Sequence, residues 1–234
     1  MTPKQRLIVA LDVPGAAQAE ALVERLKGIV GMFKVGSQLF TAAGPDFVRG
    51  LTSRGGSVFL DLKYHDIPNT VANAVAAAAS LGVSLLDVHA LGGLEMMRAA
   101  VAAGHGAGPR LLSITVLTSH DESNLARLGL SGGITACVRR LALLAREAGM
   151  DGVVASPHEV ALIREACGVD FLVVTPGIRP AGSKPGDQAR AATPAAALRA
   201  GASYLVVGRP ITEAADPAEA ARAVLAQMES AAPQ

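Results

Sequence analysis

Short runs of aliphatic and β-branched residues alternate along the chain with longer stretches in which alanine and leucine recur at helical spacing. The strand-like runs are Leu7–Leu11, Met32–Val35, Ser57–Leu62, Leu85–Val88, Leu111–Val116, Gly152–Ala155, Phe171–Thr175 and Tyr204–Val207. Between them, Ala17–Lys27, Val71–Leu81, Leu94–Ala103, Ile134–Ala148 and Ala218–Met228 carry the period of an amphipathic helix. The helical stretch around Pro194–Arg199 is predicted to be the shortest. Strands separated by helices imply βαβ crossovers and a parallel sheet. Eight such units in 234 residues predict an α/β fold, the (β/α)8 TIM barrel, because a doubly wound sheet generally uses fewer strands.

No composition break or linker divides the chain, so residues 1–234 read as a single domain. The segment 180–192 holds Gly182, Pro185 and Gly186 and is too polar to bury, which predicts a lid loop. Pro68 stands where a helix begins, at a position that needs no N–H donor, and Gly82 follows the last apolar position of that helix as a left-handed cap. The stretch Met1–Arg6 is expected to lead straight into the first strand and lacks the apolar run of a signal peptide.

Composition narrows the function. Half the residues are apolar, with no Trp, two Tyr and five Phe, so the core must be built from Val, Leu, Ile and Ala. A net charge of +1 argues against a nucleic-acid binder, which usually carries a clearly basic face. The longest apolar stretches, such as Val71–Ala79, are too short to span a bilayer. Cys137 and Cys167 have no disulfide or zinc spacing and are expected to be buried free thiols, which with the absence of a leader predicts a cytoplasmic location.

Barrels of this kind do their chemistry at the C-terminal ends of the strands. Asp12, Lys34, Asp61, Lys63, Asp87, His89, Thr115, Thr118, Ser156, Thr175 and Arg209 all fall at or just past predicted strand ends. A lone Asp there is most often a cap or turn former, but repetition over most of the strands points to a site. Asp61 and Lys63 lie two apart on one strand, so alternation predicts that both face the barrel interior. With Asp66 just beyond, they make either a structural ion pair with a helix cap or a chemical centre; burying charge is costly, which favours the second. An ammonium held between carboxylates stays protonated, suiting Lys63 to deliver a proton. Asp87 and His89 share one face of strand four and could hold a metal, or form a hydrogen-bonded floor beneath the charges; the floor is the preferred reading. His65, His105, His120 and His158 receive no role.

The loops after strands seven and eight carry Thr175-Pro176-Gly177-Ile178-Arg179 and Val207-Gly208-Arg209-Pro210-Ile211. Glycine lets backbone N–H groups approach an anion, and each guanidinium offers a planar fork to phosphate oxygens. Either Gly/Arg pair alone is weak, since Gly ends strands for steric reasons and Arg is common on surfaces. Two pairs at the loops where such barrels bind phosphate favour a phosphorylated substrate.

The run from Asp61 to Thr70, DLKYHDIPNT, resembles the signature of the orotidine 5′-monophosphate decarboxylase family. The resemblance extends to Leu7–Asp12, Phe33–Gly36, Leu117–Ser119, Pro176–Arg179 and Val207–Ile211. It implies decarboxylation of orotidine 5′-monophosphate without cofactor or metal, with Lys63 as proton donor and Asp61 near the departing carboxylate. It also implies that Asp12 contacts the ribose or pyrimidine region, Lys34 the ribose hydroxyl and the charged cluster, Thr118 the pyrimidine, and Arg179, Gln188, Gly208 and Arg209 the phosphate, with Pro176 a further substrate contact. Asp66, Ile67 and Thr70 are implied substrate contacts, with Asp66 and Thr70 lent to the partner's site in a homodimer. Tyr64 is a bulky variation that alternation turns away from Lys63. Two rivals remain: a Mg²⁺-dependent sugar-phosphate relative of the hexulose-phosphate synthase or ketogulonate-phosphate decarboxylase type, which carries an acidic residue near position 34, and a non-catalytic nucleotide-binding barrel.

Overall fold

In the computed structural model, which describes residues 1–104, 106, 108–180 and 191–231, eight parallel strands close into a barrel in sequence order. The strands are β1 (Leu7–Ala10), β2 (Met32–Gly36), β3 (Val58–Tyr64), β4 (Leu85–His89), β5 (Arg110–Ile114), β6 (Gly152–Val154), β7 (Leu172–Thr175) and β8 (Tyr204–Val207). Closure comes from the pairing of β1 with β8, Ile8 opposite Val206.

Alternation along each strand sorts the side chains into two cores. Residues such as Leu7, Val9, Val35, Leu60 and Leu86 face outward and pack under the helices. Ile8, Ala10, Met32, Phe59, Leu85, Leu112, Leu172, Val174 and Val206 fill the barrel interior. On β2, β3 and β4 this inward row changes character one step further along. Met32 is followed by Lys34, Phe59 by Asp61, and Leu85 by Asp87, all three of them buried. The apolar floor therefore passes directly into a charged layer at the C-terminal end.

The helices are α1 (Pro3–Arg6), α2 (Ala16–Leu26), α3 (Ser37–Ser53), α4 (Pro68–Ala79), α5 (Gly93–Gly104), α6 (Glu122–Arg127), α7 (Gly133–Glu147), α8 (Val160–Cys167), α9 (Pro194–Arg199), α10 (Arg209–Thr212) and α11 (Pro217–Glu229). Two expectations are corrected. The N-terminus does not run straight into a strand: Thr2 and Gln5 form a reciprocal capping box around Pro3, which stabilises one helical turn first. The helix at Pro194–Arg199 is not the shortest, because α1 and α10 have four residues each. The helix between β2 and β3 is hard to read from periodicity because it is broken at Gly44 (φ 71°), just before Pro45. Pro68 stands at the start of α4, and Gly82 takes φ 74° after its end, as the capping pattern requires. Both cysteines are buried free thiols. No helix among the described residues is long and apolar enough to cross a membrane.

Candidate active site

A cavity of about 420 Å³ opens at the C-terminal end of the barrel, within the range that holds a nucleotide-sized ligand. Its polar lining comes from Asp12 after β1, Lys34 on β2, Asp61 and Lys63 on β3, Thr118 after β5, and Arg179 and Arg209 after β7 and β8. Pro176, Gly177 and Gly208 also line it.

The charges form a continuous relay. Lys34 Nζ lies 2.9 Å from Asp12 Oδ1 and 3.1 Å from Asp61 Oδ2. The other oxygen of Asp61, Oδ1, accepts from Lys63 Nζ. Burial opposes the ammonium of Lys34, but the carboxylates of Asp61 and Asp12 outweigh it and raise its pKa above the ordinary value. Burial likewise works against an ionised Asp61, yet Lys34, a hydrogen bond from Asp87 and Lys63 together hold it well below the usual carboxylate range. Both groups are thus locked in their charged forms.

Lys63 reaches this place by a route that plain alternation does not predict. Leu60 pairs with Leu86 and Tyr64 with Val88, so Asp61, Leu62 and Lys63 lie opposite Asp87 alone. This bulge puts Lys63 at φ 52°, the positive value of a non-glycine residue among those described. The expected Asp61–Lys63 contact forms, but through the bulge. Tyr64, half-buried, packs against the outer core, away from the cavity. Burial, and then the nearby Asp87, raise its phenol.

Beneath the relay, Asp87 is fully buried and accepts a 2.8 Å hydrogen bond from the Lys63 backbone N–H. This is the floor expected from strand four. No group of three or more His, Cys, Asp or Glu suited to a metal occurs among the described residues. His89 stacks on His65 with ring centroids 5.3 Å apart. Burial, followed by the charges of His65, Lys63 and His120, lowers the His89 pKa to about 4.

Not every expected residue meets the cavity. Asp66, Ile67 and Thr70 are exposed and lie outside the residues that line it; Asp66 Oδ1 instead accepts from the Ile67 N–H at 2.6 Å. Gln188 and segment 181–190 lie outside the described residues. The flanks of that segment are tied together: Arg179 N–H donates to Ala192 O at 2.9 Å, and Ala192 N–H donates to Gly177 O at 3.2 Å.

The cavity has parts that motif reading missed. Phe59, Ile114, Val154 and Val206 form an apolar wall, which inward alternation on β3, β5, β6 and β8 could have found. Glu213 stands at the mouth, carried there by the short helix α10. Gly36 matters by its smallness: a Cβ there would sit 2.9 Å from Lys34 Nζ and 3.4 Å from Asp12 Oδ1.

Comparison with known proteins gives one consistent result. The family model described as "Orotidine 5'-phosphate decarboxylase / HUMPS family" matches residues 5–224. An orotidine 5'-phosphate decarboxylase of Moorella thermoacetica is 56% identical, over 98% of this chain and 94% of its own length. The enzyme of the same name from Halorhodospira halophila is 57% identical over 97% of both chains. The crystal structure of orotidine 5'-phosphate decarboxylase from Lactobacillus acidophilus superposes with a TM-score of 0.83 at 42% identity, covering 95% of this chain and 98% of that one. With a family-model match over residues 5–224 and relatives more than half identical over nearly the whole chain, the chain belongs to the orotidine 5'-phosphate decarboxylase / HUMPS family.

Proposed function

We propose that this protein decarboxylates orotidine 5′-monophosphate to uridine 5′-monophosphate and CO2, with Lys63 as the acid and without metal or organic cofactor. The observation that carries the reading is the relay Asp12–Lys34–Asp61–Lys63 on the wall of a nucleotide-sized cavity that also holds Arg179 and Arg209.

Breaking the bond between C6 and the carboxylate leaves the electron pair on C6, where no adjacent carbonyl accepts it. Stabilisation must come from fixed charge aimed at that atom. The Lys63 ammonium supplies it and then transfers its proton to C6, forming the C–H bond of the product. Asp61 and Lys34 keep their charges and hold Lys63 in place. Arg179 and Arg209 grip the phosphate, far from the bond that breaks, and this remote binding energy serves to order the charged centre.

The reading includes a homodimer in which Asp66 and Thr70 serve the partner's cavity. Supporting it, Ile67 is 66% exposed and Leu91 43% exposed, and together with His65, Asp66, Pro68 and Gly92 they line a shallow depression. Large apolar side chains exposed side by side mark a contact surface. The two buried free thiols accord with a reducing, cytoplasmic setting.

Against the Mg²⁺-dependent relatives stands Lys34, whose ammonium already fills the space between two carboxylates that a cation would need. The deciding experiment follows the orotate absorbance when chelator-treated protein meets orotidine 5′-monophosphate. Turnover by wild type and none by a folded Lys63→Ala variant is expected. Binding without turnover would make the protein a nucleotide-binding barrel, and turnover only with added Mg²⁺ would make it a metal-dependent relative.

A further inference from the structure

We propose that Asp87 is a positioning residue for the decarboxylation, bracing the Lys63 backbone and the Asp61 carboxylate together from beneath. The inference rests on the reading of Lys63 as the acid.

The register of the sheet creates the need. Opposite Asp87, β3 places three residues where β4 has one, so the Lys63 N–H has no regular ladder position. Its left-handed backbone is a conformation that costs a non-glycine residue about 1–3 kcal/mol and persists only where the surroundings enforce it. Asp87 Oδ1 supplies the enforcing contact, accepting the Lys63 N–H at 2.8 Å. The bulge is thus held by a side chain of the neighbouring strand.

The second oxygen of Asp87 defines its chemical form. Oδ2 is buried and meets no partner that would satisfy an ionised carboxylate. Asp61 and Lys63 of β3 face it, Tyr64 is close by, and His89 follows on its own strand. An ionised Asp87 beside an ionised Asp61 would place two like charges in the interior. A protonated Asp87, the direction in which burial and then the charge of Asp61 both push it, would remove that conflict and offer its O–H to Asp61. In that form one neutral carboxylic acid would accept from the Lys63 backbone and donate to the carboxylate that holds the Lys63 side chain. Both ends of Lys63 are fixed by way of Asp87.

Asparagine reproduces this pattern, with an amide oxygen to accept and an NH₂ to donate. Leucine has comparable size and neither capacity. Steady-state kcat and KM for orotidine 5′-monophosphate, with product affinity, should be measured on full-length wild type, Asp87→Asn, Asp87→Leu and Lys63→Ala. Asp87→Asn is expected to keep kcat within about fivefold. Asp87→Leu is expected to lose about 100-fold in kcat, the scale of an ångström-size misplacement of a catalytic group, while KM and product affinity move little. Asp87→Asn falling as far as Asp87→Leu, or Asp87→Leu turning over normally, would overturn the proposal. Should Asp87→Leu not fold, the Asp87→Asn arm decides alone: kept kcat supports the proposal and a 100-fold loss in a folded protein ends it. Turnover by Lys63→Ala would sink the reading of the acid itself, separately from either Asp87 result.

Discussion

The ammonium of Lys34 lies 3.1 Å from Oδ2 of Asp61, and both side chains are only 11% exposed. A buried pair of this kind is costly to break from one side, because the remaining charge stays in the interior.

Lys34→Met is therefore expected to cost about 3 kcal/mol of stability, the scale for removing one member of a buried pair. Lys63 remains beside Asp61 and tempers the loss. The double variant Lys34→Met/Asp61→Asn should regain much of that stability and no activity. Chemical denaturation and turnover measured on the same preparations check this. A double variant less stable than the single would contradict the pairing.

Arg209 lines the cavity at the start of α10, directly after Gly208. Arg209→Ala should lower kcat/KM for orotidine 5′-monophosphate by about 100-fold or more, since charge-assisted hydrogen bonds to phosphate contribute about 1.5–3 kcal/mol and the guanidinium makes more than one. The effect should nearly vanish with the nucleoside that lacks phosphate. An equal loss with both substrates would remove Arg209 from the phosphate site.

The barrel was legible because strands buried on both faces leave continuous aliphatic runs such as Leu7–Ala10 and Leu205–Val207. The charged layer was legible because Lys34, Asp61 and Asp87 interrupt such runs at their ends. The conformation of Lys63 was not, because its left-handed backbone is imposed by Asp87 on the next strand and no glycine marks the bulge. The importance of Gly36 was hidden for a similar reason. Its φ of −94° suits any residue, and the constraint comes from the side chains of Lys34 and Asp12. Asp66 shows the remaining limit, since its expected role requires a second chain.

His89 gives a pH-dependent test. Its folded pKa of about 4 lies below the ordinary histidine value of 6.5, burial being the first cause and the charges of His65, Lys63 and His120 the next. The unfolded chain therefore takes up the proton first. Stability from neutral His89 is complete above about pH 6.5 and is lost as the pH falls toward 4. The imidazole should titrate near pH 4 by NMR, and His89→Gln should flatten the acid side of the Tm profile above that point. A midpoint near 6.5 would show that the ring is not shielded.

Ile67 tests the contact surface. If a second copy covers the Ile67–Leu91 patch, Ile67→Glu should yield a folded monomer in sedimentation, with little turnover. Mixing it with a Lys63→Ala protein should not restore activity, because the dimer face itself is damaged. An Ile67→Glu protein that stays dimeric would place the interface elsewhere.

Gly36 separates folding from catalysis most cleanly. The Cβ of Gly36→Ala would press on Lys34 Nζ at 2.9 Å, the far end of a flexible side chain that can move without disturbing the barrel. The Tm should therefore change by only a few degrees, consistent with about 1 kcal/mol in a chain of this size. Moving Nζ loosens its contacts to Asp12 and Asp61, which hold the relay in register. Turnover should fall by roughly tenfold to 100-fold, the range expected when a charged group is displaced by a fraction of an ångström to one ångström. A Gly36→Ala protein with wild-type turnover would mean that Lys34 tolerates displacement. The relay would then owe its function to the Asp61–Lys63 contact alone.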